Sequence, residues 1–117
     1  MNLESAIGAH AEWKAKLRRA ILEREQLDAD AISSDKQCPL GEWLHGDGKA
    51  RYGTMACYGT CVTKHAQFHQ CAGSVARTIN AHKYTEALAM LAGGTPFTEA
   101  SNAVGVAIIM LRREARI

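Results

Sequence analysis

The sequence is poor both in the residues that favour β-structure and in those that interrupt helices. Aromatic side chains make up 6% of the 117 residues, and only two prolines occur. Few aromatics argue against a β-sandwich, whereas the richness in alanine favours helix. A chain of this length forms one domain and can bury about two-thirds of the surface of its unfolded state. We therefore predict a single all-α domain over residues 1–117.

Charge and hydropathy exclude several classes of function. The formal net charge is +2, with no basic tract, so nucleic acid is not an expected partner. No segment approaches the ~20 apolar residues that a membrane-spanning helix needs, and the first 27 residues lack the apolar core of a secretory signal. Four cysteines without a signal peptide indicate a reducing compartment, where thiols bind metal or pack. We expect a cytoplasmic protein without membrane insertion.

Apolar residues at helical spacing predict three long helices and two short ones. The long helices cover residues 2–27, about 54–80 and about 96–115, and the short ones cover residues 39–45 and about 84–91. Residues 28–37 are polar and turn-rich, so we expect a loop there, with at most a short helical turn. The glycines at positions 46, 48 and 53 are expected to interrupt helical structure. Together these elements predict a helical bundle that resembles a four-helix bundle.

The segment from His65 to His69 carries the clearest chemical signal. Histidines four residues apart lie on one face of a helix, about 40° from each other, and here that face is otherwise apolar. An imidazole in a hydrophobic core needs a hydrogen bond or a metal ion, because an unpaired buried polar group costs about 1–3 kcal/mol. The same spacing occurs in His-Glu-x-x-His hydrolases, but Ala66 replaces the glutamate that acts as the general base. The pair therefore favours metal binding or core packing over hydrolysis.

Two distant residues offer further metal ligands. His10 falls on an apolar stripe of the first predicted helix, and Cys38 precedes Pro39, which suits the first position of a helix. A thiol at a helix N-terminus is expected to have a lowered pKa, because the unpaired backbone N–H groups stabilise the thiolate. Three imidazoles and one thiolate are a chemically complete ligand set for zinc. Each of these residues also has an alternative role as a packed core side chain.

The other cysteines and histidines are assigned to packing or to solvent. Positions four residues apart drift by about 40° per step around a helix, so Cys57 is expected to point well away from His69. The residues interpreted as packing are Cys57, Cys61 and Cys71, and those interpreted as solvated are His45 and His82.

Two tryptophans and one glycine accompany the candidate ligands. Trp13 follows His10 by three residues and can exclude water from one side of a metal site. Trp43 can do the same for Cys38, although core packing explains both tryptophans equally well. Gly41 lies in the first turn of its helix, where a close approach of another helix would explain it.

The order of these residues resembles the chemoreceptor zinc-binding domain family. The resemblance lies in His10-x-x-Trp13, then Cys38-x-Leu40-Gly41-x-Trp43-Leu44, then His65-x-x-x-His69. It implies a helical bundle that binds one Zn²⁺ through three histidines and one cysteine. The implied ligands are His10, Cys38, His65 and His69, and Trp13, Gly41 and Trp43 are expected to surround these ligands without binding the metal.

The resemblance also implies a function. Domains of this family are bacterial signalling modules, not enzymes, and they are thought to sense zinc or, through the zinc-bound thiolate, oxidants such as hypochlorous acid. Some form homodimers. They occur at the ends of chemoreceptors, beside diguanylate cyclase domains and alone, so such signalling proteins are the implied partners. The sequence contains neither a chemoreceptor hairpin nor a cyclase domain, and we expect a free-standing member or a fragment of a longer protein.

Two other functions remain open for a helical bundle. A di-iron protein needs several inward carboxylates, typically in Glu-x-x-His pairs, and we interpret Glu42 and Glu86 as isolated. A purely structural interaction bundle would pack the same histidines without a metal ion. Metal content separates both alternatives from the zinc hypothesis.

Overall fold

The computed structural model describes all 117 residues of the protein. It contains eight helices, joined by turns and short loops, and no strand. The all-α helical bundle is therefore confirmed. None of the eight helices combines the length and the hydropathy that crossing a bilayer requires. In chain order, the helices are α1 (Leu3–Ala11), α2 (Trp13–Glu23), α3 (Ala29–Ser33), α4 (Pro39–Leu44), α5 (Asp47–Tyr52), α6 (Ala56–Asn80), α7 (Tyr84–Met90) and α8 (Pro96–Ala115).

The predicted first helix is interrupted and ends early. Glu12 separates α1 from α2, although its own backbone stays right-handed (φ −71°, ψ −17°). The second helix ends at Glu23 because Arg24 adopts a left-handed conformation with φ 54°. Glycine or asparagine is the usual residue at such a position. The arginine gives no such signal, and the predicted end at residue 27 was wrong for this reason.

The segment between α2 and α6 is more helical than predicted. Within the expected loop, α3 forms because the Asp28 side chain accepts a 3.1 Å hydrogen bond from the Ala31 N–H. Helix α5 crosses the region where glycines were expected to interrupt helical structure. A Cβ atom on Gly48 would lie 2.9 Å from Cε3 of Trp43. The glycine therefore permits close packing between α4 and α5 instead of preventing a helix.

Helix α6 is the central element of the bundle. It packs most extensively against α8 and also contacts α3, α7 and α2. The rings of Phe68 and Phe97 lie 5.7 Å apart at the contact between α6 and α8. The fully buried residues of α6 and α8 that form this core are Cys61, Phe68, Ala72, Val75, Ala76, Ile79, Val104, Ile108 and Leu111.

Helix α3 lies unusually close to α6. A Cβ atom on Gly73 would fall 1.8 Å from Oγ and 2.8 Å from Cβ of Ser33. A change of rotamer moves the hydroxyl but not the Cβ atom, so glycine is what allows the two helices to approach this far. The Asn80 side chain accepts a hydrogen bond from the Leu27 N–H and donates one to the Leu27 carbonyl, both at 2.8 Å. These contacts hold residues 27–33 against the helix that carries the histidine pair.

Candidate metal centre

Four side chains from three parts of the chain converge between α1, α4 and α6. His10 lies on α1, Cys38 is the N-cap of α4, and His65 and His69 lie on α6. One nitrogen or sulfur atom from each lies within 4.8 Å of the other three. The three imidazoles are buried, with at most 4% exposure, and the cysteine is half-buried. The structure thus brings together all four residues that the sequence predicts, in a cluster that can hold a metal ion.

Four of the six distances between these atoms are close to those within one tetrahedral coordination sphere, and all six are within 4.8 Å. Nε2 of His65 lies 3.1 Å from Nε2 of His10, 3.0 Å from Nε2 of His69 and 3.2 Å from Sγ of Cys38. Sγ of Cys38 lies 3.6 Å from Nε2 of His69. A tetrahedral zinc ion with ordinary bond lengths places two nitrogens about 3.3 Å apart, and nitrogen and sulfur about 3.6 Å apart. The donor set and its spacing therefore fit Zn²⁺.

Hydrogen bonds to backbone carbonyls fix the tautomers of two rings. Nδ1 of His10 lies 2.7 Å from the Ala6 carbonyl oxygen, and Nδ1 of His69 lies 2.9 Å from the Ile32 carbonyl oxygen. A carbonyl only accepts, so both Nδ1 atoms carry the proton and both Nε2 atoms present a lone pair to the cluster. Nδ1 of His65 has no hydrogen-bond partner. Lone pairs facing one another at about 3 Å require a shared proton or a cation between them.

Burial keeps the three imidazoles neutral at neutral pH. The pKa of His65 is lowered to about 3, mainly by desolvation and to a smaller extent by the neighbouring rings of His69 and His10. The pKa of His10 and that of His69 are also lowered, in each case mainly by burial. A metal ion binds the neutral imidazole. The cluster therefore holds its histidines in the form that coordinates a metal.

Cys38 occupies the helix cap as predicted, but its pKa shifts in the other direction. Its Sγ accepts a hydrogen bond from the Gly41 N–H at 3.3 Å, and Pro39 follows at the first helical position. Burial raises the pKa of the Cys38 thiol, while the backbone amides of Gly41 and Leu40 lower it by a smaller amount. The predicted lowering of the Cys38 pKa was wrong. Burial removes water from the thiolate, and this destabilising effect outweighs stabilisation of the thiolate by the helix N-terminus.

Gly41 is required by a close backbone contact. A Cβ atom at this position would lie 1.7 Å from the carbonyl oxygen of Asp35. The predicted close approach is therefore present, but it comes from the loop before α4 and not from another helix. The contact lets residues 35–41 fold back on themselves, and within this segment the Sγ of Cys38 contacts His65 and His69 of α6.

The two tryptophans occupy different surroundings. Trp13 lines one cavity together with His10 and Cys38, and a second cavity together with Cys38 and His69. Trp43 faces α5 instead, with its ring centroid 5.9 Å from that of Tyr52. Trp13 is thus the tryptophan that lies directly beside the cluster.

The remaining cysteines lie outside the cluster. Cys61 is completely buried in the core, where burial raises the pKa of its thiol to about 11. Cys71 is half-buried. Cys57 is not only a packing residue, because its thiol donates a 3.3 Å hydrogen bond to Oε2 of Glu114.

Two features of the remaining histidines differ from the sequence interpretation. His45 is not simply solvated, since its Nε2 lies 2.9 Å from Oδ2 of Asp35. It also follows Glu42 by three residues, so one Glu-x-x-His spacing does occur, but Glu42 is exposed and neither residue belongs to the cluster. His82 is exposed in a left-handed turn with φ 64°.

Comparison with known families agrees with this geometry. The family model for the chemoreceptor zinc-binding domain matches residues 10–76, a span that includes all four clustered residues and more than half of the chain. No curated protein and no solved structure gave a match. The family is one of regulatory zinc-binding domains and not of catalytic ones. The chain belongs to the chemoreceptor zinc-binding domain family.

Proposed function

We propose that the protein is a zinc-dependent sensory domain of bacterial signal transduction. One Zn²⁺ would be held by His10, Cys38, His65 and His69. The observation that carries the proposal is the convergence of three Nε2 atoms and one Sγ from three separate segments, with two of the rings fixed so that their lone pairs face the cluster. When bound, zinc supplies a strong Lewis-acid centre that crosslinks these segments.

A sensory role fits this ligand set better than a catalytic one. Four protein ligands complete a tetrahedral coordination sphere and leave no position for a substrate. The ligands come from α1, the start of α4 and the middle of α6. Loss of one ligand therefore disconnects elements on both sides of the bundle, because metal binding and folding are coupled. A change in zinc availability and the chemical modification of a ligand would both separate these elements, and this structural change would be the signal.

Cys38 is the ligand through which an oxidant would act. In the proposed step the thiolate sulfur attacks the oxygen of hypochlorous acid, so that a sulfenic acid forms and chloride leaves with the bonding electron pair. The sulfenic acid is a much weaker zinc ligand than the thiolate. Cys38 is half-buried, whereas the three histidines are almost completely buried. The thiol is thus the most accessible member of the set.

We further propose that the domain acts as a homodimer in the cytoplasm and signals to a chemoreceptor or a diguanylate cyclase. An apolar stripe on α8 supports self-association, since Val106 and Met110 are 55% and 50% exposed. These residues border a groove between α6 and α8 that Thr60 and Ala103 also line. Exposed apolar patches on a small domain commonly mark an interaction surface.

Zinc content of purified protein tests the ligand assignment. We expect about one zinc ion per wild-type chain and an affinity more than about 100-fold weaker in Cys38→Ala, because even loss of a residue that only supports a ligand costs about 10–100-fold. Cys71→Ala is the matched control, since Cys71 lies on α6 outside the cluster. Zinc affinity in Cys38→Ala equal to that of wild type would show that the thiolate assignment is wrong.

Stoichiometric hypochlorous acid tests the response to oxidants. We expect it to release zinc and to modify Cys38 before the other three cysteines, as resolved by peptide mass spectrometry. Equal modification of all four cysteines would contradict the sensing role of Cys38, but it would not contradict the assignment of the four zinc ligands. Iron and no zinc in the purified protein would favour the di-iron alternative, although the four clustered residues include no carboxylate. Absence of any bound metal would favour the structural bundle.

A further inference from the structure

A cavity of about 330 Å³ opens from solvent onto the cluster between α1, α2 and α4. His10 and Cys38 form part of its wall, and Trp13 and Leu40 form apolar parts. Lys16 also lines it as the only lysine or arginine of the cavity wall, and Met1 with its backbone amino group lines it as well. No acidic residue lines this cavity. The cavity therefore offers a cationic approach to the Cys38 side chain.

A second cavity, of about 230 Å³, reaches the same cysteine from the side of α3. It is lined by Ile32, Gln37 and His69 among others, and none of its lining residues is an acid, a lysine or an arginine. Trp13 lies on the walls of both cavities. The indole thus separates two approaches to one thiol, of which only the first carries a cation.

A contact with Trp13 favours a position of Lys16 beside the first cavity. Its Nζ lies 5.0 Å from the centroid of the indole ring, a cation–π distance that holds the ammonium group at the wall of the first cavity. The acidic residue whose charge acts on Cys38 is Asp35. That carboxylate is paired with His45 at 2.9 Å and lines neither cavity. An anion in the first cavity therefore meets a positive charge and no negative one.

We infer that the first cavity is the route by which small monoanionic reagents reach Cys38, and that Lys16 selects for their charge. Neutral reagents of the same size can use either cavity. The biological use of this charge selection rests on the proposed role of Cys38 as a sensory thiol. If Cys38 has that role, anionic oxidants reach it more readily than neutral oxidants of the same reactivity. The charge selection itself is a property of the cavity and is measurable without zinc release.

Two alkylating reagents of nearly equal size test this inference. Iodoacetate is a monoanion and iodoacetamide is neutral; with both, a sulfur–carbon bond forms at Cys38, the carbon–iodine bond breaks and iodide leaves. The readout is the ratio of the two alkylation rates at Cys38, followed by peptide mass spectrometry on the protein as purified, with its zinc content recorded. Cys71 in the same chain serves as an internal reference.

The variant Lys16→Gln removes the charge and keeps most of the side-chain length. We expect it to lower the iodoacetate-to-iodoacetamide ratio at Cys38 by about two- to threefold, the effect of one charge roughly 6–8 Å away in a water-like medium. Lys16→Glu should lower the ratio by a similar factor again. In 1 M salt these differences should disappear, because the Debye length falls to about 3 Å.

Lys83→Gln is the charge-matched control. Lys83 is exposed and follows the end of α6, about 20 Å along the chain axis from His69 at the rise of an α-helix. The iodoacetate-to-iodoacetamide ratio at Cys38 of this variant should equal that of the wild-type protein. Circular dichroism and zinc content confirm that each variant is folded and loaded to the same extent.

An unchanged ratio in Lys16→Glu overturns the charge selection, and this result does not bear on whether zinc is bound. No alkylation of Cys38 by either reagent in chelator-treated protein, where no metal ion shields the sulfur, overturns the route. Conversely, a Cys38→Ala variant with full zinc affinity overturns the ligand role, and it does not bear on the ratio measured at Cys38 of the wild-type protein. The two proposals therefore fail through different measurements.

Discussion

Substitution of Gly41 by alanine tests how the structure positions the proposed thiolate ligand. The added Cβ would lie 1.7 Å from the carbonyl oxygen of Asp35 and 2.7 Å from its carbonyl carbon. Both are backbone atoms, so no change of rotamer relieves the contact. The loop before α4 must move away from the helix, and this movement displaces Cys38, at the junction of loop and helix, from the Gly41 N–H that donates to its Sγ at 3.3 Å.

The expected destabilisation follows from two opposing effects. Gly→Ala in a helix without a steric conflict stabilises a protein by about 0.4–1 kcal/mol, because the unfolded chain loses conformational freedom. Overpacking of a close contact costs about 1–3 kcal/mol and sometimes more. A contact with unyielding backbone belongs at the upper end, so we expect Gly41→Ala to lower the free energy of unfolding by about 2–3 kcal/mol. For a domain of this size that corresponds to a fall in Tm of roughly 10 °C.

Urea denaturation and zinc titration measure the two consequences. The matched control is Gly8→Ala, because an added Cβ on this α1 residue meets no atom within 4 Å. Gly8→Ala should leave the urea midpoint unchanged or raise it, and should keep wild-type zinc affinity. Gly41→Ala should lower both the midpoint and the affinity. A Gly41→Ala protein as stable as wild type would refute the assignment of Gly41 as a residue required by backbone contact.

Two further predictions concern pH and association. Burial lowers the pKa of His10, His65 and His69, so below about pH 6.5 the unfolded chain binds more protons than the metal-free folded protein. The free energy of unfolding should therefore fall as the pH is lowered from 6.5 to about 3, where His65 titrates in the folded state. With a chelator present, a urea midpoint at pH 5 equal to or higher than that at pH 7.5 would contradict this prediction. Met110→Glu should convert the proposed dimer to monomer in light scattering, whereas Leu22→Glu, a change at a 75% exposed site on α2, should not; a monomeric wild type removes the basis for the α8 interface.

The residues of the cluster were partly predictable because some of their signals are local. Helical spacing places His65 and His69 on one face, and Pro39 marks the helix that Cys38 caps. Long helices were predicted for the same reason, since their apolar stripes repeat every three to four residues. The bounds of α8 agree with the prediction because Thr95 and Pro96 signal its start, and the Thr95 side chain accepts from the Thr98 N–H.

Other parts of the site depend on tertiary contacts that no local pattern specifies. The Ala6 carbonyl could have been found, because it precedes His10 by four residues on the same helix. The Ile32 carbonyl could not, since it reaches His69 only after α3 docks on α6 through Gly73. Burial likewise decided the direction of the Cys38 pKa shift, against the local effect of the helix N-terminus. The pairing of His45 with Asp35 has the same origin in the folded loop.

The missing outer hydrogen bond of His65 makes the three imidazoles mechanically unequal. Turning the ring of His10 or His69 breaks a bond from Nδ1 to a backbone carbonyl, but turning the ring of His65 breaks no bond to the backbone. Apart from the contacts of its Nε2 within the cluster, only the surrounding side chains restrain that ring, which is fully buried. A looser interior near the middle of α6 would therefore change the orientation of this imidazole first, because no backbone carbonyl holds its outer nitrogen.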